Sequence, residues 1–113
     1  MRINFYELDF IHPKLRFLVR DVQSIYASQT GKETVITSLF RIGDEGVHGT
    51  LPLRGVDIRC RDMDLGEYIA DYVNEKWTYD PDRPHMKCVI FHDTGSGLHL
   101  HLQVHPRSVR VQD

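Results

Sequence analysis

Apolar residues recur at helical spacing from Leu15 through Leu18, Val19, Val22, Ile25 and Tyr26, which predicts an amphipathic helix over residues 13–28 with one face on a sheet. His12-Pro13 marks its start, because proline suits the first helical position, and Gly31 stops it. The run Thr34-Val35-Ile36-Thr37-Ser38-Leu39-Phe40 is dense in β-branched and apolar residues and predicts a buried strand. Residues 42–54 hold three glycines and a proline and predict a loop. Gly55-Val56-Asp57-Ile58-Arg59-Cys60 predicts a second strand. A second amphipathic helix over 64–77 follows from Leu65, Tyr68, Ile69, Tyr72, Val73 and Trp77, with Asp62 and Asp64 at its N-terminal end, where the helix dipole favours acids. Two further strands, 87–92 and 98–104, flank the glycine-bearing turn Asp93-Thr94-Gly95-Ser96-Gly97 and predict a hairpin. The expected fold is α+β: two helices packed on a small, mainly antiparallel sheet of about four strands.

The chain has 113 residues, enough for one domain over residues 1–113 and one core, and neither a repeat nor a linker divides it. A formal charge of −2 and scattered basic residues argue against nucleic acid as a partner. Cys60 and Cys88 lie in apolar stretches outside any CxxC pair and read as reduced core cysteines. The N-terminal stretch MRINFYELDFIHPKLRF contains neither a long uncharged apolar run nor a small-residue cleavage site. Neither a signal peptide nor membrane insertion is therefore expected, and the chain is expected to be cytoplasmic as synthesised.

Candidate chemistry begins with the seven histidines. Side chains two apart on a strand share a face, so over 98–105 one face carries Leu98, Leu100, Leu102 and Val104 and the other His99, His101, Gln103 and His105. The apolar face accounts for folding. The imidazole row is either a solvated face or a pair of zinc ligands. Asp57, between Val56 and Ile58, needs a partner for its charge, either a neighbour such as Arg59 or Arg61 or a metal. His48 lies in the glycine-rich loop ahead of it. Two imidazoles and one carboxylate make an open tetrahedral zinc site suited to catalysis. His12 reads as capping or preceding the first helix, His85 as part of a polar loop, and His105 as sharing the metal face but lying at the strand end before Pro106, outside the ligand set.

In that order, Ile36-Thr37-Ser38-Leu39-Phe40-Arg41, His48, Arg54-Gly55-Val56-Asp57-Ile58 and Leu98-His99-Leu100-His101-Leu102-Gln103-Val104 resemble the LAS-type zinc peptidases. These are the D-alanyl-D-alanine carboxypeptidases and endopeptidases of bacterial cell walls, whose fold the hedgehog signalling domain shares. The resemblance spans roughly residues 34–105 and is nearest to small phage- and prophage-encoded members. It implies one Zn²⁺ per chain on His48, Asp57 and His101, a proton-transferring His99 beside the metal, and Arg41 on a substrate carboxylate. The implied substrate is the peptide stem or cross-bridge of peptidoglycan, reached after holin-type release or as a virion component. The chain departs from the family twice. Eight residues separate His48 from Asp57 where six are usual, and Gly95-Ser96-Gly97-Leu98 stands where many members carry a general-base Glu. The base then falls to His99, His92 or Asp93. The alternative expectation is a zinc-stabilised binding or phage structural module that does not hydrolyse.

Overall fold

The computed structural model describes residues 12–40, 54–93, 95 and 97–111. Helix α1 spans Pro13–Thr30. Nδ1 of His12 accepts a hydrogen bond from the Lys14 amide at its N-terminus. Gly31, at φ 69°, ends the helix in the left-handed conformation, its N–H donating to the Ala27 carbonyl. Leu15, Leu18, Val19 and Val22 are the buried residues, so the predicted apolar stripe is the packed one. Helix α2 spans Met63–Lys76, with the Asp62 carboxylate accepting from the Leu65 amide and Ile69, Ala70 and Val73 turned into the core.

Four strands, β1 (Ile36–Phe40), β2 (Gly55–Arg59), β4 (Val89–Asp93) and β5 (Leu98–Gln103), form one antiparallel sheet in the order β1-β2-β5-β4. The molecule is thus the expected α+β fold, two helices on a mainly antiparallel four-stranded sheet. A separate ribbon pairs β3 (Trp77–Thr78) with β6 (Val109–Arg110). The periodicity did not predict this ribbon: Trp77 reads as the last helical residue but starts a strand. Its indole N–H donates to Asp21 of α1, which also accepts from Arg110.

Central strand β5 explains most of the core. Leu100 lies between Ile58 and Phe91, and Leu102 between Val56 and Val89. Leu100, Leu102, Val56 and Ile58 are completely buried, in one cluster with the apolar residues of both helices. At the outer edge of the sheet, the Asn74 carboxamide donates to the Val89 carbonyl and accepts from its amide, satisfying in α2 the groups that a further strand would have bonded. Cys60 and Cys88 are buried and free, as expected, and burial pushes the Cys88 thiol up to about 12. Among the described residues, no helix is long and apolar enough to cross a membrane.

Candidate metal centre

Strand alternation that buries Val56, Ile58, Leu100 and Leu102 on the helix side turns Asp57, Arg59, His99, His101, Gln103 and His92 to the other side. Register then sets their neighbours. Asp57 is directly opposite His101, Arg59 opposite His99, and His99 opposite His92. Residues 44 apart in sequence become cross-strand partners this way.

The hydrogen bonds define the states of the two rings. Nε2 of Gln103 donates to the Lys87 carbonyl, which turns its carbonyl oxygen to Nε2 of His101 at 3.2 Å. That oxygen only accepts, so a hydrogen bond here has Nε2 of His101 as its donor. Nδ1 of the same ring is 3.1 Å from Oδ1 of Asp57. A neutral ring can donate to only one of these two oxygens, so the two contacts together leave room for a shared cation such as a metal ion. Two such atoms bound to one tetrahedral zinc at its usual bond lengths would be about 3.3 Å apart, close to the spacing seen. The Asp57–His101 pair thus fits two positions of a zinc site.

His99 is held differently. Nδ1 donates to the Gly97 carbonyl at 3.0 Å, leaving Nε2 on the side of Asp57, 3.9 Å from the same Oδ1. A backbone carbonyl that fixes the tautomer and orientation of a working imidazole is a common supporting contact. The His92 ring is edge-on to His99 with centroids 4.6 Å apart, and 5.9 Å from His101. Burial holds the His92 imidazole below its ordinary value, and the neighbouring His99 and His101 add to this, so His92 is neutral at neutral pH.

Asp93, one of the three residues open as a base, is a turn-former. Its Oδ1 accepts from the amides of Gly95 and Gly97, and these bonds hold its carboxyl below the usual carboxylate range. His105 lies beyond β5, its ring 5.7 Å from that of Tyr79 and its Nδ1 accepting from the Arg107 amide, apart from the other three imidazoles. His48 and Arg41 lie outside the described residues. Among the described residues, no three His, Cys, Asp or Glu side chains form a group that could hold a metal by themselves.

Gln103 and the Gly97 carbonyl orient the rings, and sequence reasoning gave neither a task. The position of Gln103 two residues past His101 on the same face was a signal for the first. The second depends on turn geometry and left no residue-type signal. No protein-family model matches the chain, and neither does any curated protein or solved structure.

Proposed function

We propose that this chain is a zinc-dependent peptidase with a hedgehog/D-alanyl-D-alanine-peptidase-like fold that hydrolyses peptide bonds of peptidoglycan. The observation that carries the reading is the Asp57–His101 pair, with both ring nitrogens of His101 facing oxygen and Nδ1 3.1 Å from the carboxylate, a spacing that two ligands of one zinc would share. His48, Asp57 and His101 would hold the metal, one per chain. Zinc bound there supplies Lewis acidity, lowering the pKa of water and polarising a carbonyl. Around it, the chain's own residues handle the proton and the substrate. His99, oriented by the Gly97 carbonyl, presents Nε2 beside Asp57 and carries the proton between attacking water and leaving amine. His92, neutral and edge-on to His99, is the second proton acceptor. Arg41 meets a substrate carboxylate. The order of motifs fits a small phage- or prophage-encoded enzyme that reaches the wall after release from the host or on the virion.

A second reading, a zinc-stabilised module that binds without cutting, is favoured by one observation. The Glu expected before the last histidine pair is absent, and Asp93, at the start of the turn before that pair, is committed to the amides of its own turn. Turnover separates the two readings.

The purified protein is expected to carry about one zinc, the content of a single three-ligand site. It should release fragments from sacculi, identified by mass, in a chelator-sensitive reaction. His101→Ala should lose zinc, thermal stability and activity together. His99→Ala should keep zinc and lose about 10²–10⁴-fold in rate. Zinc loss in His99→Ala would make His99 a ligand and leave His92 as the base. Tight zinc without hydrolysis of any wall substrate would select the binding module.

A further inference from the structure

Helices α1 and α2 lie side by side on the sheet face away from Asp57 and His101: α1 packs on β5, α2 on β4 and β5, and the helices on each other. Their outer sides are opposite in charge. On α2, Asp64, Glu67, Asp71 and Glu75 are all exposed, and among the described residues none of the four forms an ion pair. On α1, the exposed charges are Arg16 and Arg20. The other charged side chains of α1 are engaged within the fold. Lys14 donates to the Pro106 and Ser108 carbonyls, and Asp21 accepts from Trp77 and Arg110. Large apolar side chains are exposed among these charges. Four of the seven such side chains exposed among the described residues, Phe17, Met63, Tyr68 and Tyr72, are on these two helices. Arg20 lies over the Phe17 ring, 5.7 Å from its centroid, and the rings of Tyr68 and Tyr72 are 6.0 Å apart. The seam between the helices is a groove of about 200 Å³ lined by Ser24, Ile25, Tyr72 and Lys76, among others.

We infer that this helix layer is the interface of a homodimer, in which the acidic, tyrosine-bearing face of α2 meets the arginine-bearing face of α1 of a second copy. A two-fold axis running along the seam turns each α1 onto the α2 of the other copy, so both contacts form at once and the interface closes on itself. Charge complementarity selects a second copy as the occupant. Four carboxylates set around two exposed rings suit guanidinium groups, which pair with carboxylates and stack on aromatic faces. The neighbouring helix of the same chain offers that chemistry in Arg20 and the apolar ring beneath it. Surface charge pairs alone contribute little. Here the symmetry forms each pair twice, and Phe17, Met63, Tyr68 and Tyr72 leave water as well. The dimensions set the strength. With 18 and 14 residues, a rise of about 1.5 Å per residue and a width of about 10 Å, the two helices present about 500 Å² per copy, or about 1,000 Å² in total. That is the low end for a specific interface, so the dimer is weak and forms in a concentration-dependent way. The inference is independent of the peptidase reading, since the face bearing Asp57 and His101 is on the other side of the sheet.

The test is sedimentation of the full chain over a range of concentrations, alongside Arg20→Glu and Asp71→Lys, each alone and the two mixed. The wild type should pass from the 13.2 kDa chain to a species of twice that mass. Its Kd should be on the order of 1–100 μM, as suits so small an interface. Salt at about 1 M should weaken it by screening the charges. Each variant alone should raise Kd about 10-fold or more, because a single reversal acts at both symmetric contacts. Both side chains are exposed, so each variant keeps the fold. An equimolar mixture of the variants should return to wild-type affinity, since the reversed α1 of one then faces the reversed α2 of the other. A wild type that stays monomeric up to millimolar concentration would overturn the inference. So would a dimer that neither variant weakens, or one that the mixture fails to restore.

Discussion

The two faces of the central sheet are made from the same strands, residue by residue in alternation, yet different physics governs them. On the helix side, Val56, Ile58, Leu100 and Leu102 are completely buried, and their contribution comes from area removed from water, which is insensitive to exact geometry. On the other side, Asp57, His99, His101 and Gln103 depend on particular atoms at particular distances. One side holds the fold and tolerates similar apolar residues. The other side contributes little to folding by itself and has value only when register brings a carboxylate opposite an imidazole. Proximity in sequence does not unite them, since Leu100 and His101 are adjacent yet belong to opposite tasks.

The largest expected effect would break this comparison if it failed. Leu100→Ala should cost about 2–5 kcal/mol of stability, as truncation of a fully buried leucine does. His101→Ala in the metal-free protein should cost under about 2 kcal/mol, because Asp57, its carboxylate partner, is exposed enough to rehydrate and Gln103 keeps its bond to the Lys87 carbonyl. Urea unfolding of the chelated proteins measures both, and equal losses would make the polar face a folding element. Next in size is Asn74→Ala, which leaves the buried Val89 amide and carbonyl without their side-chain partner and should cost about 1–3 kcal/mol. Because Asn74 supports β4 and lies on the helix side, zinc content should not change. A variant that also loses zinc would show that the two faces are coupled through the edge strand.

The smallest effect concerns pH. His92 has its pKa lowered in the fold, by burial first and then by His99 and His101, from the ordinary value of 6.5. As pH falls below 6.5, the unfolded chain takes up this proton before the folded one does. The metal-free protein therefore loses stability as pH falls from 6.5 toward the folded value, and regains it as pH rises. His92→Gln should flatten that slope below the ordinary histidine value of 6.5. The contribution of His12, whose pKa is also lowered, remains in both proteins. Identical slopes, read from urea midpoints, would show that crowding of the imidazoles does not disfavour the charge on His92.

Much of this architecture is written in local pattern. The helical stripe from Leu15 to Val22, Pro13 and Gly31 at the helix ends, and the alternation of Leu and His in β5 are consequences of a 3.6-residue and a two-residue period, which need no distant partner. That alternation also announced which residues would face away from the core. Other features are decided only when the strands assemble. The ribbon of Trp77–Thr78 with Val109–Arg110 has two residues on each side, too short for any period to reveal, and is set by where Asp21 receives both Trp77 and Arg110. The separation of His105 from His99 and His101 is likewise tertiary: the strand ends at Gln103, and the alternation that would have kept His105 on their face ends with it. The sequence by itself determined which residues are chemically capable and which face of each strand they occupy. The tertiary structure decided that Asp57 meets His101, that Gln103 and the Gly97 carbonyl orient the two rings, and that Arg59 is beside His99. Cross-strand register joins residues far apart in the chain, and nothing in the spacing of either strand alone encodes which pairs with which.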